Sequence, residues 1–178
     1  MLSTSRHSRH PRQLLSPGRL AIGAALASAC WVLPVAAMGT LEVKYVQAEQ
    51  FSDIGFGAFE RERNLQSMTQ VLQGLVKRLP DGQTLRLEVL DIDLAGETYP
   101  RSAGRDLRVL RGGVDWPRME VRYTLQADGR TLKAGEDKLA DQSYLFTLRG
   151  QTAQDGPLPY EKRMLARWFS DTFAAVGP

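Results

Sequence analysis

Two aspartates, Asp91 and Asp93, stand one residue apart in the run Val89-Leu90-Asp91-Ile92-Asp93-Leu94. In an extended strand, side chains at i and i+2 share a face, about 6.5–7 Å apart at about 3.3 Å per residue. Carboxylates so placed could hold a hard cation, or divide acid and base roles in a hydrolysis. Asp91 and Asp93 are therefore the candidate metal ligands and catalytic residues. A calcium ion wants about six to eight oxygens, so Asp53, Asp115 or Asp141 would have to converge on the pair. The plainer account puts both on a solvated face or at loop caps. The long-loop calcium signature, with its glycine and terminal glutamate, is absent.

A second grouping is basic. Arg101, Arg105, Arg108, Arg111, Arg118 and Arg122 follow one another closely. Of these, Arg105, Arg108, Arg111 and Arg118 are candidates for a fork that grips phosphate or carboxylate. Trp116, beside Gly112-Gly113 and before Pro117, is a candidate stacking residue for a sugar or peptide, or else covers one end of the core. Glu97, Asp106, Asp115 and Glu120 lie among the arginines, and a salt-bridged solvent face is the plainer account. Ser52, Ser143 and Tyr144 sit near Asp53 and Asp141. A serine nucleophile without histidine would need a lysine base, and the spacing of Lys138 and Lys162 selects neither. Gly55-Phe56-Gly57 lacks the further glycine and the Lys-Ser/Thr of a phosphate loop.

The first 37 residues differ sharply from the rest. Arg6, Arg9, Arg12 and Arg19 precede an apolar run over 20–33, Pro34 ends it, and Val35-Ala36-Ala37 follows. A basic start, a short apolar core and small residues at the end define a secretory signal, with cleavage expected after Ala37. Two other readings stand beside it. Leu26-Ala27-Ser28-Ala29-Cys30 offers Cys30 for lipidation, although a larger aliphatic residue is usual where Ala27 stands. A retained anchor needs about 20 apolar residues, which the run approaches. Export to the periplasm or medium is the expectation.

Removal of residues 1–37 changes the charge. The chain carries 23 basic and 20 acidic residues, a net of +3. Four of the basic residues and none of the acidic ones lie in 1–37, so 19 and 20 remain, a net of −1. The basic balance that would hint at nucleic acid goes with the signal. So do both histidines, His7 and His10, and the single cysteine. Residues 38–178 then have no thiolate, no histidine-based triad, no disulfide and no zinc site of the usual ligands. They must fold on an ordinary core as one domain.

The alternation Leu41-Glu42-Val43-Lys44-Tyr45 predicts a strand. Leu65, Met68, Val71, Leu72, Leu75, Val76 and Leu79 recur at helical spacing, after a polar start at Glu60–Arg63 and before a stop at Pro80-Asp81-Gly82. Residues 84–94 predict a long strand whose apolar phase switches at Val89-Leu90, the mark of a bulge. Residues 95–104 read as a loop and 106–110 as a short strand. Met119, Val121, Tyr123 and Leu125 alternate with polar residues up to Asp128-Gly129, a turn pair that accepts positive φ, and 131–139 returns. Residues 142–159 read as a long loop. Met164, Leu165, Trp168, Phe169 and Phe173 mark a last helix over about 160–173. The expected fold is α+β: a mixed, mostly antiparallel sheet of four to five strands with two helices on one face, in the order β-α-β-β-β-β-α.

Several of these pieces occur in one order: Phe51-Ser52-Asp53, Val89 to Gly96, Asp115-Trp116-Pro117-Arg118, the Asp-Gly hairpin, Leu139-Ala140-Asp141 with Tyr144, and Tyr160-Glu161-Lys162 with Trp168-Phe169. Together they resemble the exported bacterial family known as domain of unknown function 3016, over about residues 41–173. The resemblance implies an exported single-domain protein and no particular activity, and it carries no catalytic residues. The functional expectation is a non-enzymatic domain of the cell envelope that binds a protein or an anionic envelope molecule. It uses no cofactor, binds no nucleic acid and keeps no membrane span after cleavage. The alternatives are a metal-dependent hydrolase built on Asp91 and Asp93, and a structural assembly partner that docks through an edge strand or the 142–159 loop.

Overall fold

The computed structural model describes residues 38–99, 107–147 and 156–174, all within one compact unit, Val35–Pro178. The 1–37 segment, with Cys30 and the cleavage point, lies outside the described residues, as do Arg101 and Arg105.

Strand β1 (Thr40–Tyr45) leads through a short 3-10 turn (Ala48–Gln50) to helix α1 (Ala58–Val76). Strands β2 (Gln83–Asp93), β3 (Glu97–Tyr99), β4 (Leu107–Val109), β5 (Arg118–Ala127) and β6 (Arg130–Ala140) follow. A one-turn helix α2 (Tyr144–Thr147) and the long helix α3 (Pro159–Phe173) complete the order. The main sheet has four strands in the order β1-β2-β5-β6, with β1 parallel to β2 and the other pairs antiparallel. The fold is mixed α+β, as the sequence pattern predicts. Three features go beyond that pattern. Residues 97–99, read as loop, form β3 and pair with β4 as a separate two-stranded sheet. A further short helix, α2, sits inside the stretch read as loop. Asp53, in the loop after β1, bridges in parallel to Asp93.

Alternation decides the faces. Leu85, Leu87 and Val89 of β2 and Met119, Val121, Tyr123 and Leu125 of β5 are buried beneath α1 and α3. Met68 and Leu72 of α1 and Leu165 and Phe169 of α3 close the same core. The β2–β5 register shifts between Val89 and Asp91, which leaves Leu90 as the extra residue of a bulge. Beyond it Ile92 is buried, while Asp91 and Asp93 pair with Glu120 and Arg118 on the other face.

That other face carries charge instead of helices. Glu42 meets Arg86 at 2.7 Å, Arg122 sits between Glu88 at 2.9 Å and Glu136 at 3.0 Å, and Lys138 meets Glu120 at 2.6 Å. Exposed pairs of this kind add little to stability, because water screens them. Their larger effect is to keep the face wet.

The edge strand β6 turns polar side chains inward. Lys133 Nζ donates to the Thr172 carbonyl at 2.6 Å, and Trp168 Nε1 donates to Asp137 at 2.8 Å. Between them Gly135 lies under the Tyr123 ring, where a Cβ would stand 2.8 Å from the hydroxyl oxygen and 3.0 Å from Cζ. Tyr123 in turn packs edge-on against Trp168 and Phe173. Gly135→Ala should therefore lower stability by about 1–3 kcal/mol through overpacking, a melting temperature drop of roughly 3–12 °C. Adding Tyr123→Phe, which removes the nearest atom, should return part of the loss in calorimetry.

Candidate functional site

β1 stops opposite Val89, but β2 runs on to Asp93. The loop after β1 fills the space beside this overhang, and several bonds fix it there. Ser52 donates its N–H and its hydroxyl to the two oxygens of Asp91, both at 2.7 Å. Asp53 N–H donates to the Ile92 carbonyl at 2.9 Å, and Leu94 N–H donates to the Asp53 carbonyl at 3.0 Å. Ile54 is buried, and Asn64 of α1 donates to its carbonyl at 2.9 Å. Glu60, in the first turn of α1, reaches back to Phe56 N–H at 3.1 Å, a device that satisfies a donor at the helix start. Gly55 has φ +117°, and a Cβ there would meet Glu60 Cγ at 2.8 Å, so glycine is required on both counts.

Arg108 of β4 binds this loop from the far side. Its guanidinium donates to both oxygens of Asp53, at 2.9 and 3.1 Å, and to the carbonyls of Ala95 and Gly96 at 3.2 and 3.1 Å. Glu161 of α3, 2% exposed, accepts Ala95 N–H at 2.8 Å. Burial is the largest influence on that carboxyl and raises it above the ordinary carboxylate range, against the backbone N–H groups of Ala95 and Glu161 and the nearby Arg108 charge.

A second group of staples joins β5 and β6 to α3. Asp115 accepts Arg111 N–H at 2.6 Å and Gly113 N–H at 3.0 Å. Burial would raise its carboxyl, but these donors and the Tyr144 hydroxyl together hold it below the usual range. Burial is also the main reason the Tyr144 hydroxyl is pushed up to about 12. Asp141, 1% exposed, takes Arg163 Nε at 3.1 Å, Ser143 N–H at 3.2 Å and Arg167 at 3.5 Å.

The five aspartates therefore go to separate partners. Asp91 and Asp93 share a face, but Asp91 holds Ser52 and Asp93 takes Arg118 Nε at 3.0 Å. Among the described residues no three His, Cys, Asp or Glu side chains are grouped as metal ligands. The arginines are likewise dispersed: Arg108 to Asp53, Arg118 to Asp93, and Arg111 to Glu97 and the Tyr99 hydroxyl. Trp116 is half-buried against Ala95, Tyr144 and Tyr160, with Arg118 stacked 5.7 Å from its ring.

What the stapled loop does build is a cleft of about 550 Å³. Phe51, Ser52, Asp53 and Phe56 form one wall, Gly96 to Tyr99 the opposite wall, with Glu49 from the 3-10 turn and Arg61 from α1. Phe56 is 68% exposed at its rim, and Phe59 close by is 81% exposed. Sequence reasoning missed Glu49 and Tyr99, and read Arg61 only as part of a polar helix start and Glu161 only as part of the family resemblance. The signal for Phe56 was present: a large aromatic between two glycines, in a loop with no periodicity to bury it.

The family model described as "Protein of unknown function (DUF3016)" matches residues 39–171. The chain belongs to that family. No curated protein matches it. Among solved structures, a Caulobacter crescentus chain described as a "putative lipoprotein" is 14% identical with a TM-score of 0.32, over 78% of this chain and 93% of that one. A minor lipoprotein from Acinetobacter baumannii is 12% identical with a TM-score of 0.25, over 80% and 93%. The motifs that carry the family resemblance now have positions. Phe51-Ser52-Asp53, Asp91 to Gly96 and Glu161 meet around Arg108, and Asp115, Asp141, Tyr144 and Tyr160 form the second group.

Two measurements test these staples. Arg108→Met strands Asp53 and two carbonyls and should cost about 2 kcal/mol, roughly 5–8 °C in melting temperature. Arg108→Lys should recover less than half, because one ammonium cannot span the four acceptors. For Glu161 the folded value is raised, so its contribution is present at low pH and is lost as the pH rises through that value. Glu161→Gln keeps an acceptor for Ala95 N–H, so its melting temperature relative to wild type should climb as the pH rises from the ordinary carboxylate range through the raised folded value. A flat difference would mean that the carboxyl has an ordinary value.

Proposed function

We propose that this chain is an exported cell-envelope domain that binds another envelope component, without converting it, in the cleft between the 51–56 loop and β3. Support for export is the basic, then apolar, then small-residue pattern of residues 1–37. The observation that carries the binding site is the fixed loop itself. Side chains from β2, β4 and α1 hold residues 52–56 in place, yet Phe56 at the loop's end stands 68% exposed over the cleft. A rigid frame that presents an unburied aromatic beside a concavity is the arrangement expected of a binding loop.

The hydrolase reading asks Asp91 and Asp93 for free lone pairs. Both Asp91 oxygens already accept from Ser52 and Asp93 Oδ2 from Arg118, and no third carboxylate joins the pair among the described residues. The docking reading rests on the free outer edge of β6, eleven residues long, where Leu132 is 43% exposed. Its inward-turned Lys133 and Asp137 are of the kind that discourages strand addition.

Melting of the purified protein with divalent cations, headgroup mimics and peptidoglycan fragments separates the three. A ligand at about 100 times its dissociation constant adds about 2.7 kcal/mol, a rise of roughly 6–12 °C. The cleft reading expects a rise with an organic fragment that Phe56→Ala abolishes. A rise with Ca²⁺ or Mg²⁺ that Asp91→Asn abolishes would favour the hydrolase. No rise, with a photo-crosslinker at Leu132 capturing one stoichiometric protein in cells, would favour docking.

A further inference from the structure

The charges that line the cleft are not all spent. Asp53 is neutralised by Arg108 at 2.9 Å, Asp93 by Arg118, and Glu97 by Arg111 at 3.6 Å. Two remain, Glu49 from the 3-10 turn and Arg61 from the first turns of α1. Neither makes an ion pair or side-chain hydrogen bond with any described residue, and they do not pair with each other across the cleft. Arg61 is half-buried as a residue, and its guanidinium has no partner among the described residues. The rings of Phe51, Phe56 and Tyr99 line the same cleft.

One free cation, one free anion and aromatic walls describe the complement of a ligand with both charges on an apolar body. Resting on the cleft being the binding site, we propose that its ligand is a short zwitterionic peptide. The terminal carboxylate is taken by Arg61, whose planar fork suits it. The terminal ammonium is taken by Glu49. Side chains lie against Phe51, Phe56 and Tyr99. The volume, about 550 Å³, is in the range of small-ligand sites. A purely anionic ligand would leave Glu49 opposed to it, and a purely cationic one would leave Arg61 so.

The test is calorimetric titration of the purified protein with alanyl-phenylalanine, its N-acetyl derivative and its C-terminal amide. Wild type should bind the free dipeptide, and each blocked form about tenfold more weakly, the effect of about 1.4 kcal/mol per lost charge contact. Glu49→Gln should weaken the free dipeptide about tenfold and leave the N-acetyl form unchanged. Arg61→Met should do the same for the free dipeptide and leave the amide unchanged. Both side chains lack structural partners, so both variants should melt with wild type. Equal binding of free and blocked forms, or variants that bind as wild type does, would overturn the proposal, as would no binding of any of the three. If the dipeptides fail while another envelope fragment raises the melting temperature in a Phe56-dependent way, the zwitterion falls and the binding cleft stands. If neither occurs, both fall.

Discussion

Arg108 gives one shared anchor to three stretches of chain, two of which the Ser52 and Asp53 bonds to β2 also join. It lies on a strand only three residues long, in a two-stranded sheet too small to be stable alone. Its guanidinium ties that sheet to the loop after β1 through Asp53, and to the exit of β2 through the Ala95 and Gly96 carbonyls. Glu161 then connects the same exit to α3. Take away the guanidinium and both walls of the cleft lose their common anchor, although the four-stranded sheet and its core would not be touched. The core supplies stability, and this one fork supplies the shape of the concavity.

The same arithmetic explains why the chain looks catalytic at first sight. Clustered aspartates and arginines usually suggest metals or anions. Here a carboxylate is used wherever a loop has N–H groups to satisfy or an arginine to orient: Asp91 for Ser52, Asp115 for Arg111 and Gly113, Asp141 for Ser143 and Arg163. A domain with no histidine or cysteine after residue 37 has few other side chains for such work. The charges that remain uncommitted are the informative ones, because no described neighbour gives them a structural task.

How legible this was in the sequence depended on range. The β5–β6 hairpin was legible because alternation and Asp128-Gly129, with φ of 50° and 73°, are local signals. The bulge at Leu90 was legible because a phase switch is visible in the residues themselves. β4 was legible as the short strand read over 106–110, but its partner β3, three residues inside a stretch read as loop, shows no period of its own. The cleft was legible in part. Phe56 between glycines was in view, but the destination of Arg108, 55 residues from Asp53, and the isolation of Arg61 depend on how distant segments pack. Composition could show that six arginines stand against four acidic residues over 97–122, and it could not show which were left over.

The inward charges of β6 bear on how crowded a solution the molecule tolerates. A free strand of eleven residues is a template on which any extended chain could crystallise. With Lys133 held by a helix carbonyl and Asp137 by an indole, a newcomer laid along that edge would meet two ionic groups already solvated by the protein's own backbone and ring. It would have to leave them in place and gain little, or uproot them and strip the end of α3. The edge is thus guarded by the molecule's interior, and screening salt, which loosens surface ion pairs, would leave that guard standing.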